Sequence, residues 1–335
     1  MILALQLVLA GVLATRRNPL AGVPSDALLL LPSTLASADE LLIEGQPGSG
    51  AASDSARVEL SKKDGTWVLP GYFNAPADAG KVTELLSRLG TIKRGLPIAT
   101  TEAALRRFKL VDSDFERRLV FRRGGRTLST LYVGSSPGLR KSDARTAADR
   151  AVYVVDLPTY ELPTQASEWL NGDVLRGEAD KLVELDVANA AHDNIQLRRP
   201  KAQESASASA GAGAGADSWT DPALAAGKQV DTSHADALAR DVAQMRVDGV
   251  LGTEAKPGWQ QDHPALTLKL QNDTAHSVDW TLSKPQSGDY YVLKSSAHPW
   301  FFSVNSSVAK QMIDASGHDA LIVATKPPAK ASGKT

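Results

Sequence analysis

The chain has 335 residues, of which 42% are hydrophobic, and a formal net charge of -1. That length suffices for two ordinary domains with separate cores, and the balanced charge supplies no basic field to recruit nucleic acid. Cysteine is absent, which excludes disulfides and thiolate metal sites.

Residues 1–14 (MILALQLVLAGVLA) carry no charge and run into Thr15, Arg16 and Arg17. A helix crossing a bilayer core needs roughly 20 apolar residues. Three readings compete: a tilted or thinned membrane anchor extended by snorkelling arginines, a signal-peptide core, or a buried helix. The anchor reading, over residues 1–17, is the expectation adopted, with a Pro/Gly-containing linker at 18–26. Arg16 and Arg17 after the span argue for a cytoplasmic C-terminal side, whereas a basic stretch further upstream would restore the opposite topology.

A first α+β module is expected over 27–174. Strands are predicted at 41–44 and 57–61, with a loop at 45–55 between them; Lys62-Lys63-Asp64-Gly65 forms a hairpin turn, and 67–69 returns. The period then changes to 3.6, placing Val82, Leu85, Leu86, Leu89 and Ile92 on one helical face. Asn74 is read as its N-cap, with Pro76 in the first turn. A short helix follows at 101–107. A hairpin turning on Gly124-Gly125 joins 119–123 to 127–133, a strand covers 152–155, Pro158-Thr159-Tyr160 breaks the sheet, and a helix occupies 165–170.

The same order is expected again over 175–323. Residues 179–182 echo 38–41, 195–199 echo 58–62, and Trp219 stands in for Trp67. The helical face reappears as Ala235, Leu238, Ala239, Val242 and Met245. Strands at 266–270 and 278–282 turn around Asn272-Asp273, 290–293 follows, and Pro299-Trp300-Phe301 leads to a last helix at 307–313. The shared order points to an internal duplication. The run SASASAGAGAGA at 205–216 reads as an exposed insertion in the second module, and 324–335 as a disordered tail. The fold class is therefore α+β: tandem duplicated antiparallel-sheet-plus-helix modules following an N-terminal membrane helix.

Asp64, Gly65, Trp67 and Leu69, then Ala77-Asp78-Ala79 and Lys81-Val82 before a Leu-rich helix, form one motif. Leu131-Tyr132-Val133-Gly134 followed by Ala151-Val152-Tyr153-Val154 forms another. Together they resemble the uncharacterised DUF4340 family over roughly residues 28–320. The resemblance implies a single N-terminal anchor, repeated α+β portions outside the cytoplasmic membrane, and neighbours that are ABC-transporter permeases and ATPases related to gliding-motility export. It implies no catalytic or ligand-binding residues.

Catalytic signatures are scarce. The Gly-rich stretch 45–50 lacks the Lys-Ser/Thr of a phosphate-binding loop, and neither His-Glu-x-x-His nor Gly-x-Ser-x-Gly occurs. None of the six histidines forms an i, i+4 pair, so solvated or locally bonded histidine is preferred over a metal site. Asp112, Asp114 and Glu116 have the chemistry for a hard cation, but pairing with Arg117 or Arg118 is the preferred reading. No catalytic residue, cofactor or metal ligand is assigned. Candidate interface residues are the basic Arg106, Arg107, Arg117, Arg118, Arg122 and Arg123, which suit anionic lipid or an acidic partner. The aromatic candidates are Tyr160, Trp169, Trp300, Phe301 and Phe302, each of which also suits a core.

The expected function is a non-enzymatic, membrane-anchored scaffold of a cell-envelope ABC-transporter complex. In this reading the chain sits in the inner membrane with its bulk in the periplasm, touching lipid through its first helix and docking a permease and envelope proteins. It binds no nucleic acid and no nucleotide. The alternatives are an envelope module binding polysaccharide, peptide or lipid, and an envelope hydrolase.

Overall fold

The computed structural model describes residues 29–46, 57–190, 194–200 and 218–325. They divide into two compact units. The first contains the described residues up to Trp67 together with Ala79–Glu168; the second contains Val68–Asp78 and the described residues from Trp169 onward.

Strands β1 (Glu40–Gly45), β2 (Arg57–Lys63), β3 (Thr66–Leu69) and β4 (Ala75–Pro76) precede helices α1 (Ala79–Thr91) and α2 (Glu102–Arg107). Next come β5 (Leu110–Val111), β6 (Asp114–Phe115), β7 (Arg117–Arg123), β8 (Arg126–Val133), β9 (Ser142–Thr146) and β10 (Tyr153–Val155). Eight of these strands form one sheet in the order β10-β9-β8-β7-β1-β2-β3-β4. Leu41 and Ile43 of β1 alternate into the core, as do Val58 and Leu60 of β2. Val82, Leu85, Leu86 and Leu89 line the buried stripe of α1. A smaller core of Leu105, Leu110, Phe115, Tyr132 and Val152 lies beneath α2 and the β5–β6 ribbon.

The second unit carries β11 (Leu182–Asn189), β12 (Asn194–Arg198), β13 (Lys228–Val230), α3 (Thr232–Ala243) and β14 (Gly249–Gly252). It continues with β15 (Leu266–Asn272), β16 (Ser277–Ser283), β17 (Tyr290–Ser295), β18 (Phe301–Asn305), α4 (Ser306–Ala315), α5 (His318–Leu321) and β19 (Ile322–Ala324). Its main sheet runs β12-β11-β15-β16-β17-β18-β14. Ala235, Leu238, Ala239 and Val242 of α3 are buried, as are Met245 and Trp219.

The two sheets follow one chain path. The order β2-β1-β7-β8-β9-β10 in the first corresponds to β12-β11-β15-β16-β17-β18 in the second. The principal helix enters between the second and third of these strands in both. Where β14 flanks β18, the first unit has a single antiparallel bridge from Ala99 to Val152 beside β10.

Both predicted two-residue turns form. Asp64 and Gly65 have φ of 50° and 83°, and Gly124 and Gly125 have 54° and 75°. Positive φ at both central residues matches the right-handed twist of the flanking strands. Asn74 does not cap α1: it has φ 53° in a turn, Ala75–Pro76 is a short strand, and the helix starts only at Ala79. The expected helix at 165–170 is a 3-10 turn, Ala166–Trp169.

The membrane-anchored architecture is corrected. No helix among the described residues is long and apolar enough to cross a membrane. The longest is α1 with 13 residues, one face buried and the other carrying Lys81, Glu84 and Arg88; a span needs roughly 20 apolar residues. The expected lipid contact, permease packing, inner-membrane location and periplasmic bulk all depended on that anchor, and no helix among the described residues supplies it. The anchor at 1–17, the linker at 18–26, the insertion at 205–216, all but the first two residues of the tail expected at 324–335 and most of the loop at 45–55 lie outside the described residues; Ala324 itself ends β19.

Candidate functional site

The basic candidates separate into two groups. Strand β1 lies between β2 and β7, and its register puts Glu40 opposite Arg122 and Glu44 opposite Arg118. Both pairs close as ion pairs, as opposite charges facing each other across a ladder should. Arg118 also lies 5.2 Å from the Phe115 ring. Arg117 turns inward, donating through Nε to the Leu162 carbonyl at 2.8 Å and through Nη1 to the Glu116 carbonyl at 2.7 Å. Burial lowers its pKa, and the Glu116 charge opposes that shift. Arg106, Arg107 and Arg123 remain exposed.

The acidic trio does not pair as expected. Glu116 meets Lys109 at 2.6 Å, and Asp112 accepts from the Tyr132 hydroxyl. Among the described residues no group of three His, Asp or Glu side chains is placed to hold a metal ion.

The aromatic candidates also divide. Trp169, Phe301 and Phe302 are core residues, whereas Tyr160 is 68% exposed. Trp300 is half-buried, and its indole N–H donates to the Phe73 carbonyl at 2.9 Å. The His298 ring stacks on Trp300 at 5.8 Å and meets Phe302 edge-on at 6.2 Å.

His298 marks one border of a groove of about 490 Å³ in the second unit. Strand register explains its position. Leu270 faces Val278 across β15 and β16, and Trp280 faces Ser295 across β16 and β17. Side chains two apart share a sheet face, so Val278 and Trp280 stand together. The segment from Val174 to Leu182 supplies the opposite wall, with Arg176, Glu178 and Lys181, while Asn272 and His276 come from the β15–β16 turn. Burial holds the His298 pKa below the usual imidazole range; a hydrogen bond with the Val174 backbone raises it, and the Lys294 charge lowers it further. The imidazole is thus neutral near pH 7 and tied to the groove wall.

A family model described as a domain of unknown function, DUF4340, matches residues 67–269, more than half of the chain. The chain belongs to the DUF4340 family. Comparisons with curated proteins and with solved structures return no match. The DUF4340 match is narrower than the 28–320 expected from sequence: it begins at Trp67, beside the first hairpin turn, and ends at Lys269 within β15. It supports family membership and carries no link to transporters or gliding motility.

Sequence reasoning missed the groove of this DUF4340 member. Trp280 and Leu282 alternate on β16 like ordinary core residues, and the register that joins Leu270, Val278, Trp280 and Ser295 exists only once the sheet is assembled. His298, two residues before a flagged tryptophan, was the available signal.

Proposed function

We propose that this protein is a non-enzymatic docking module whose second unit receives an apolar anchor from a partner protein. The observation that carries the reading is the groove beside Trp280, a continuation of the core-facing sheet surface. Its volume of about 490 Å³ lies in the range that accommodates specific ligands or the anchor side chains of partners. Leu270, Val278, Trp280 and Leu182 supply apolar walls, and Arg176, Asn272, His276 and His298 supply hydrogen-bonding groups at the margins. Apolar walls give binding energy through buried area, and the marginal polar groups set orientation. Two similar units in one chain suit a protein that presents surface rather than one that encloses a reaction.

Peptide display against the full chain tests this. Selected peptides should carry a large aliphatic or aromatic residue, and Val278→Lys or Ala297→Trp should weaken them about ten-fold or more, a loss of at least ~1.4 kcal/mol. Melting temperatures of the variants report whether the fold persists. Peptides that bind wild type and both folded variants equally would overturn the reading.

A further inference from the structure

We propose that two neighbouring hairpin tips at one end of the first unit's sheet form a docking surface for an extended acidic segment of a partner protein. The tips are Lys62-Lys63-Asp64-Gly65, between β2 and β3, and Arg123-Gly124-Gly125-Arg126, between β7 and β8. Strand β1 separates them, and Asp39, just before it, ties both together. The Asp39 carbonyl accepts from the Lys62 N–H at 2.7 Å, and its own N–H donates to the Arg122 carbonyl at 3.0 Å. Its carboxylate accepts from the Gly124 N–H at 3.0 and 3.1 Å. Strands β2 and β7 are two sheet spacings apart, so the facing sides of the two tips, where Lys63 and Arg123 sit, stand ~10 Å from each other.

The local acids are largely committed. The Asp39 carboxylate faces the hairpin backbone, and Glu40 pairs with Arg122. That leaves Asp64, in the same turn as Lys62 and Lys63. All four cations, Lys62, Lys63, Arg123 and Arg126, are exposed, and none has an ion-pair partner among the described residues. Arg123 lies directly opposite Arg126 in the ladder. Like charges facing each other across strands are unfavourable, and the Gly-Gly turn requires nothing of its flanking side chains. A hairpin serving only the fold gains from opposite charges there, as the same strand shows at Glu40–Arg122 and Glu44–Arg118. With no ion-pair partner of their own among the described residues, Arg123 and Arg126 are open to an anion arriving from outside. Carboxylates three residues apart on an extended chain are separated by ~10 Å. One can therefore meet Lys62 and Lys63 while the next sits between Arg123 and Arg126, whose guanidinium forks suit carboxylate oxygens.

The test is fluorescence anisotropy of the full chain with a labelled peptide of Glu-Ser-Ser repeats, against the same peptide with Gln for Glu. The acidic peptide should bind selectively and weaken as salt rises. Arg123→Glu/Arg126→Glu and Lys62→Glu/Lys63→Glu should each weaken it about ten-fold or more. Arg106→Glu/Arg107→Glu, on α2, should leave it unchanged. Because the single change Arg126→Glu replaces a like-charge pair by an opposite one, it should keep the hairpin folded and still weaken binding. Absence of binding at low salt, equal loss in the α2 control, or preference for heparin or phosphatidylserine vesicles would each overturn the proposal.

Discussion

The Tyr72 hydroxyl accepts a hydrogen bond from the Val250 backbone N–H at 2.9 Å. Val250 lies on β14, the edge strand of the second unit's sheet, where ladder pairing ends. Next to it, a Cβ on Gly249 would lie 3.0 Å from the same hydroxyl and 2.9 Å from Ser303 Oγ. Burial raises the Tyr72 pKa, the Val250 bond opposing it, so the phenol stays protonated at neutral pH.

Tyr72→Phe keeps the ring and removes only the acceptor, leaving the Val250 N–H without its partner. The expected loss is ~1–2 kcal/mol, read as a lower urea midpoint with unchanged slope. An unchanged midpoint would show that water replaces the hydroxyl without cost.

Two glycine substitutions should have opposite effects. A Cβ on Gly134 would lie 1.9 Å from the Phe108 carbonyl oxygen and 2.7 Å from that of Lys109. Both are backbone atoms, so Gly134→Ala should cost about 3 kcal/mol or more. Gly90 sits in α1 with nothing within 4 Å of the added carbon, and Gly90→Ala should gain ~0.5–1 kcal/mol. Thermal unfolding of the two variants side by side checks both signs.

Acid should act oppositely on two aspartates. Asp143 on β9 is 2% exposed, and its Oδ1 is enclosed with no hydrogen-bond partner among the described residues. Burial raises its pKa, so the folded state holds the proton above the unfolded value of ~3.9. Its contribution to stability is therefore present at low pH and declines as pH rises through the folded pKa. Asp143→Asn should be more stable than wild type at pH 7, with the gap closing on acidification.

Asp231 caps α3, accepting from the Ser233 N–H at 3.0 Å and the His234 N–H at 3.2 Å. The Ser233 hydroxyl first, then the His234 backbone, bring its pKa down to about 2. Its stabilisation is fully present above the unfolded value of ~3.9 and is lost as pH falls from there through the folded pKa of about 2. Asp231→Ala should cost ~1 kcal/mol at pH 7. Urea midpoints collected from pH 7 down to pH 2 separate the two aspartates.

The Glu44–Arg118 pair should show modest coupling. Neither side chain is fully enclosed, so a double-mutant cycle with Glu44→Gln and Arg118→Gln should return ~0.3–1 kcal/mol. Arg118→Gln alone should cost more than Glu44→Gln because it also removes the guanidinium over Phe115. A coupling indistinguishable from zero would mean the ladder geometry contributes nothing beyond packing.

Local pattern was sufficient for the parts of this protein governed by neighbours along the chain. Helical spacing placed Val82, Leu85, Leu86 and Leu89, and later Ala235, Leu238 and Val242, on buried faces. Asp64-Gly65 and Gly124-Gly125 announced their turns because few other residues accept two successive positive φ values. The recurring order of elements was legible through the hairpins β7–β8 and β15–β16, but strands β9 and β18 were not expected, and β17, read as the counterpart of β10, takes the place of β9. The membrane-anchored architecture, with its lipid and permease partners, finds no spanning helix among the described residues, and the apolar run that suggested it lies outside them.

Side-chain fate across strands was decided only by assembly. In sequence Arg118 and Arg122 look like part of a basic face; β1 sets Glu44 and Glu40 beside them. Phe301 and Phe302 sit beside Trp300 in sequence yet end in the core, while Trp300 reaches the Phe73 carbonyl. The groove exists because register aligns Leu270 with Val278 and Trp280 with Ser295. Chain-local chemistry sets which element forms; long-range pairing sets which of its side chains meet another and which are left to face solvent.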